Sequence, residues 1–115
     1  MRAARVPERG DVVWLEFNPQ RGSEQAGRRP ALVISPQSYN KKAGLALVCP
    51  ITSRLKGYPF EVQIPKGLEA TGAILCDQIK SLDWRARRAA RLGSVPDAVI
   101  QEVTARILAL VDPEG

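Results

Sequence analysis

Asp11-Val12-Val13-Trp14-Leu15-Glu16-Phe17, bounded by Gly10 on one side and Asn18-Pro19 on the other, reads as a β-strand. Its β-branched and aromatic residues suit a pleated surface, and glycine and proline mark where such a run stops. Downstream the pattern recurs. Pro30-Ala31-Leu32-Val33-Ile34-Ser35 is a continuous apolar run closed by Pro36, as in a strand buried on both faces, and Leu45 to Ile51 reads the same way. Phe60 to Ile64 and Ala73 to Cys76 add two shorter strands, and Gln78-Ile79-Lys80-Ser81-Leu82 alternates like a half-buried one. Short strands separated by glycine and proline predict a mainly β (α+β) chain folded as a compact barrel of short antiparallel strands.

The segments between them are of three kinds. Asn18 to Arg29 carries glycines, a proline and mostly polar side chains, and is expected to be a long loop of the kind that often has a function. Trp84 to Leu92 leaves helix and strand open, since its alanines and arginines favour the first and its setting the second. At the C-terminus, Val99, Ile100, Val103, Ile107, Leu110 and Val111 recur at helical spacing, which predicts one amphipathic helix packed on the barrel. Ser94 and Asp97 read as its capping box, and Asp112-Pro113 ends it.

With 115 residues, 44% of them hydrophobic, the chain is expected to be a single domain spanning residues 1–115. No apolar run approaches the ~20 residues of a membrane span, and Met1-Arg2-Ala3-Ala4-Arg5-Val6-Pro7 lacks a signal-peptide core, so a cytoplasmic location and no membrane partner are expected. Cys49 and Cys76 sit in apolar segments and read as buried thiols. The net charge is +5, unevenly distributed. Between Glu24 and Glu61 there is no acid, while Arg28, Arg29, Lys41, Lys42, Arg54 and Lys56 fall in that window. A second acid-free run from Trp84 to Pro96 holds Arg85, Arg87, Arg88 and Arg91. Clustered in space, these side chains would attract a polyanion; spread out, they would be a solvated surface.

The chain has no histidine, which excludes paired-imidazole RNA cleavage, a Ser/His/Asp triad and a histidine-based zinc site. Its carboxylates are scattered, and no nucleotide-binding glycine pattern is present. RNA cleavage survives this filter, because the substrate supplies its own nucleophile in the 2′-hydroxyl beside the scissile phosphate. An arginine fork can then hold two phosphate oxygens and match the charge that builds on five-coordinate phosphorus.

Gly22-Ser23-Glu24-Gln25-Ala26-Gly27-Arg28-Arg29-Pro30 resembles the signature of the MazF/PemK toxin family, a Gly-Ser-Glu-Gln loop leading to an Arg-Pro that opens the second strand. The resemblance continues in order through Gly10-Asp11, Ser35-Pro36, Pro50-Ile51-Thr52, Lys56-Gly57-Tyr58-Pro59-Phe60-Glu61-Val62 and Asp77-Gln78-Ile79-Lys80-Ser81. It implies a homodimeric SH3-like β-barrel with a C-terminal helix. It also implies a metal- and cofactor-independent endoribonuclease that cuts single-stranded mRNA at a short motif, A-C-A-like by closeness to such members. The products would carry 2′,3′-cyclic phosphate and 5′-hydroxyl ends, and an acidic MazE-like antitoxin would block the enzyme. On the same resemblance Arg29 and Thr52 take the catalytic positions, with Glu24 a candidate base or RNA contact. Relatives often carry a second threonine where this chain has Ser53, which leaves open which hydroxyl meets the phosphate. Arg28, Lys56, Tyr58, Gln78 and Lys80 match positions near the RNA groove, where Gln78 could read a base edge and Tyr58 could stack. Trp14 and Trp84 read as core or dimer contacts.

The alternative is a toxin of the same fold without nuclease activity, like the gyrase poison CcdB. Those proteins end in Trp-Gly-Ile, whereas this chain ends Asp112-Pro113-Glu114-Gly115 and keeps Arg29 and Thr52. A passive RNA-binding barrel is a third reading.

Overall fold

β1 (Asp11–Phe17) and β2 (Gly27–Val33) pair antiparallel, with Val12 facing Leu32 and Phe17 facing Gly27. The computed structural model describes residues 5–17 and 27–114. β3 (Leu45–Thr52) lies on the other side of β2. Its far edge is shared by β5 (Ala73–Leu75), which carries β4 (Glu61–Gln63), and by β6 (Lys80–Asp83). β7 (Ala90–Ser94) pairs with the remaining edge of β1 across a bulge between Val12 and Val13. The result is a seven-stranded antiparallel sheet in the order β4-β5-β3-β2-β1-β7, with β6 on β3, whose ladder stays open among the described residues. The mainly β architecture with a C-terminal helix is thus present.

Because side chains alternate across a strand, the central strands feed two cores. Val12, Leu32, Cys49, Ile51 and Ile74 point to the face covered by Val99, Ile100 and Val103 of the C-terminal helix α2 (Asp97–Val111). Val13, Leu15, Phe17, Ala31, Val33, Ala46 and Val48 point to the opposite face, where Trp84 is 1% exposed. Two buried faces explain why β2 and β3 read as continuous apolar runs. Fully burying one such aliphatic side chain contributes about 1.5 to 3 kcal/mol before entropy is counted.

Several expectations are corrected. Gly27, Arg28 and Arg29 belong to β2 rather than to the preceding loop, because they pair with Phe17, Glu16 and Leu15; Asn18 to Ala26 lie outside the described residues. Gln78 sits in a 3₁₀ turn (Cys76–Gln78), and β6 begins only at Lys80. Trp84 to Leu92 is a turn followed by the start of β7. The capping box does not form: Ser94 ends β7, and the N-cap Pro96 makes no side-chain cap, its carbonyl accepting the N–H groups of Val99 and Ile100 instead. The apolar stripe of α2 packs only over its first turns, since Leu110 and Val111 are 48% and 71% exposed.

A short helix, α1 (Gln37–Ala43), was not expected. Its interior anchor is polar: Asn40 is fully buried, donates from Nδ2 to the carbonyls of Pro7 (2.8 Å) and Ser35 (3.1 Å), and accepts the Ser35 hydroxyl at 2.6 Å. Its carbonyl accepts the Trp84 indole N–H at 2.9 Å, which ties α1 to the second core. Gly44 ends α1 at φ 71, with Lys41 and Lys42 in its last turn.

Candidate functional site

β2 and β3 pair through Ala31 with Pro50, Leu32 with Cys49 and Val33 with Val48. Carried two residues past its last pair, Ala31 with Pro50, the same register would set Arg29 opposite Thr52. Facing residues of antiparallel neighbours stand about 5 Å apart at Cα and share a face of the sheet. Arg29 and Thr52 therefore continue the Ala31–Val33 and Val48–Pro50 face beyond the edge of the second core. Arg29 is exposed there and Thr52 half-buried. Thr52 is held on its β5 side. It pairs with Ala73 of β5, and Gly72 crosses its carbonyl so closely that a Cβ on Gly72, at φ +114, would lie 2.2 Å from the Thr52 oxygen.

The hydroxyl of Thr52 accepts the backbone N–H of Arg54 at 3.0 Å, which turns the chain sharply out of β3. A loop follows, and exposed Ser53, exposed Lys56 and half-buried Tyr58 lie on it. Glu61, the first residue of β4, reaches back into that loop: Oε1 accepts the N–H groups of Lys56 (3.0 Å) and Gly57 (2.9 Å), and Oε2 lies 3.2 Å from the Lys56 nitrogen. Gly57 has φ 76, and its residue type makes that left-handed conformation inexpensive. The Tyr58 hydroxyl donates to Asp77 across 3.5 Å, a long contact that brings the loop beside the 3₁₀ turn carrying Gln78. Partial burial, the Asp77 and Glu61 carboxylates and the Asp77 hydrogen bond raise the Tyr58 pKa, so the phenol keeps its proton at neutral pH. Arg106 of α2 donates to the carbonyl of Pro59 and pairs with Glu102 at 3.2 Å.

Thr52, Ser53, Lys56 and Tyr58 thus follow one another out of the end of β3, and Gln78 is next to Asp77 in the turn that Tyr58 contacts. Lys80 opens β6 facing Val48, on the Arg29–Thr52 side but nearer the middle of β3. Arg28 is turned away from this group. It projects to the other face, pairs with Glu16 at 3.7 Å and donates to the Arg88 carbonyl at 3.0 Å. Glu24 lies outside the described residues.

Much of the basic character is spent on internal contacts. Arg88 pairs with Glu16 at 3.3 Å, Arg91 with buried Asp11 at 3.3 Å, Arg87 donates to the Glu16 carbonyl, and Arg85 stacks over Trp84. The acid-free run from Trp84 is therefore largely a device for closing β1, β6 and β7 together. Gly72, Asp77 and Arg106 escaped sequence reading because each acts on a residue distant in the chain, on Thr52, Tyr58 and Pro59. The one local signal was Glu61 closing the short, glycine-containing Lys56–Phe60 turn. Cys49 and Cys76 are buried free thiols, as expected; burial first, then nearby carboxylate and thiolate charge, pushes Cys49 to about 12, and burial leads the rise of Cys76 to about 11.

Residues 8–111 match the profile of PemK-like, MazF-like toxins of type II toxin-antitoxin systems. The chain is 49% identical over 106 residues to the endoribonuclease toxin MazF of Escherichia coli K12, covering 92% of this chain and 95% of that one. It is 39% identical to the endoribonuclease toxin ChpB of the same organism, over 91% of this chain and 94% of ChpB. Among solved structures, it superposes on MazF from Deinococcus radiodurans with a TM-score of 0.88 at 52% identity, covering 94% of this chain and 98% of that one. It superposes on a MazE-MazF structure from the same organism with a TM-score of 0.86 at 52% identity, covering 94% and 97%.

Proposed function

The chain belongs to the PemK-like, MazF-like family of type II toxins, and from that premise we propose that it is an endoribonuclease toxin that cuts single-stranded RNA by internal transesterification. The observation that carries this reading is the β2–β3 register, which, extended past Ala31 and Pro50, directs Arg29 and Thr52 to the same end and face of the sheet.

In the proposed reaction the 2′-oxygen attacks the adjacent phosphorus, the bond from phosphorus to the 5′-oxygen breaks, and a 2′,3′-cyclic phosphate and a 5′-hydroxyl result. The 2′-hydroxyl gives up its proton to a base, and the departing 5′-oxygen gains one. Arg29 stays charged at neutral pH, so its part is to bridge two phosphate oxygens and offset the charge that develops on them. Thr52 donates its hydroxyl proton to a phosphate oxygen, and Ser53 is the neighbouring hydroxyl that could share this task. Glu24 is the candidate base. Lys56 and Lys80 hold flanking phosphates, Tyr58 stacks on a base and Gln78 reads a base edge. Arg28, committed to Glu16 and Arg88, adds only long-range attraction. The substrate supplies the nucleophile, so none of these steps calls for a metal ion.

The likeness to a MazE-MazF structure supports a MazE-like antitoxin as partner; in the proposed reading the antitoxin is acidic, and the toxin is a cytoplasmic homodimer that stops translation. An A-C-A-like motif is the proposed cutting site. The test is to incubate the purified chain with a single-stranded RNA in EDTA and to map the ends formed. Cyclic phosphate termini at a short recurring motif are expected; intact RNA at high protein concentration would overturn the proposal.

A further inference from the structure

The 54–60 loop stands between Thr52 and the β4–β5 hairpin and holds Lys56 and Tyr58. It has no strand partner, yet its middle is gripped. Two consecutive N–H groups, those of Lys56 and Gly57, converge on Oε1 of Glu61 at 3.0 and 2.9 Å. Successive backbone N–H groups of this kind form a nest suited to an anion, and here the anion is the chain's own carboxylate. Hydrogen bonds to a charged acceptor are about twice as strong as neutral ones. Glu61 itself is anchored as the first residue of β4, facing Leu75 of β5, so the grip ties a mobile type of segment to the sheet.

We infer that Glu61 is a positioning residue for the RNA groove: its carboxylate holds the Lys56–Gly57 turn, and thereby sets where the Lys56 ammonium and the Tyr58 ring meet the substrate. The inference rests on the ribonuclease reading above for the substrate, and on the two hydrogen bonds from Lys56 and Gly57 for the mechanism. Glu61 does not touch the reacting atoms. Without its grip the loop samples many conformations, and RNA must select the competent one, which weakens apparent binding in proportion to the fraction lost. The chemical step at Arg29 and Thr52, once RNA is bound, is unaffected.

The test compares the native chain with Glu61→Ala and Glu61→Gln on a short RNA carrying one cut site. Alanine should raise KM by about tenfold, the worth of one to two hydrogen bonds to a charged acceptor, while kcat stays within about threefold. Glutamine keeps the Oε1 acceptor and should restore most of the loss. A native chain that leaves RNA intact would end the ribonuclease reading and not this one, so amide exchange is measured alongside. In the native chain the exposed Lys56 and Gly57 amides should exchange at least about tenfold slower than unstructured peptide, because opening must break their bonds. Exchange at the peptide rate, or an alanine variant with native KM, overturns the inference, and the native-chain exchange decides it if the alanine variant fails to fold.

Discussion

The hydroxyl oxygen of Thr52 accepts the backbone N–H of Arg54 at 3.0 Å. A hydroxyl has one proton and two lone pairs, so this bond orients the group and leaves the proton for a phosphate oxygen. Thr52→Ser keeps both oxygen and proton, whereas Thr52→Val keeps the shape and loses both. Serine is expected to cleave within about threefold of the native rate and valine about tenfold slower or more, since a hydrogen bond to a charged group contributes about 1.5 to 3 kcal/mol. Single-turnover cleavage of an RNA oligonucleotide measures both, and a valine variant as fast as the native chain would remove Thr52 from the site.

Arg29 is exposed near the start of β2. Arg29→Ala should lower kcat by about 100-fold or more, the usual consequence of losing one donor aimed at transition-state charge. Lysine keeps the charge without the planar fork and should fall between the two. Because the side chain lies outside both cores, the melting temperature of each variant should stay near the native one. Normal turnover in the alanine variant would contradict the proposed clamp.

How far the sequence could be read follows from the range of the forces involved. Asp11–Phe17 was legible because its alternation and its glycine and proline bounds are local, and β2 and β3 because two buried faces demand unbroken apolar runs. α1 was not legible: its one buried residue is Asn40, and the partners that hold it, Pro7 and Trp84, lie 33 and 44 residues away. Ser94 was misread as a cap because only the β1–β7 pairing of Asp11 with Ser94 shows it to be strand. At the site, Arg29 and Thr52 came from the family resemblance, and the β2–β3 register points both toward the same end of the sheet. Glu61 and Arg106 matter through backbone groups of the loop, which no side-chain pattern advertises.

The arginines already engaged inside the fold bear on how RNA binding should respond to salt. Arg28, Arg87, Arg88 and Arg91 are bonded to Glu16 or Asp11, and the proposed phosphate contacts are Arg29, Arg54, Lys56 and Lys80. About four contacts to a single strand predict a slope of log affinity against log salt near −3, and Lys56→Ala should flatten it by about 0.7. Arg88→Ala should leave the slope nearly unchanged while loosening the β6–β7 turn. Fluorescence anisotropy with a non-cleavable RNA analogue gives all three values. A slope that drops as much for Arg88→Ala as for Lys56→Ala would mean that the Trp84–Pro96 run carries substrate after all.

Cys49 and Cys76 make a prediction for alkaline pH. Burial lifts their folded-state values from the ordinary 9.0 to about 12 and about 11. Raised values mean that the folded chain holds protons the unfolded chain releases. The contribution is therefore complete below about pH 9.0 and disappears as pH climbs through about 11 and then about 12. Urea unfolding between pH 7 and 11 should show stability falling more steeply above pH 9 in the native chain than in a Cys49→Val, Cys76→Ala variant. The same burial predicts that iodoacetamide leaves both thiols unmodified at neutral pH until denaturant is added. Rapid alkylation of the folded chain would contradict the packing of the first core.

Asn40 offers the sharpest test of how α1 is held. Its amide nitrogen donates to two buried carbonyls, those of Pro7 and Ser35, and its carbonyl oxygen takes the proton of Ser35, whose own oxygen accepts the Leu47 N–H at 2.9 Å. Asn40→Asp is nearly isosteric but turns the donor into an acceptor facing two carbonyls, and ionising it there buries an unpaired charge. It should cost about 3 kcal/mol or more at pH 7, against about 1 to 3 kcal/mol for the lost hydrogen bonds alone in Asn40→Ala. The aspartate variant should also regain stability as pH falls, because its carboxyl must be protonated in the fold before it can donate to Pro7 or Ser35. That is the sign for a group whose folded-state pKa lies above its unfolded one: the stabilisation is whole below the unfolded value and vanishes as pH rises through the folded value. Urea unfolding at pH 4 and pH 7 measures the difference. An aspartate variant as stable as the native chain at neutral pH would mean that α1 rests on contacts other than this amide.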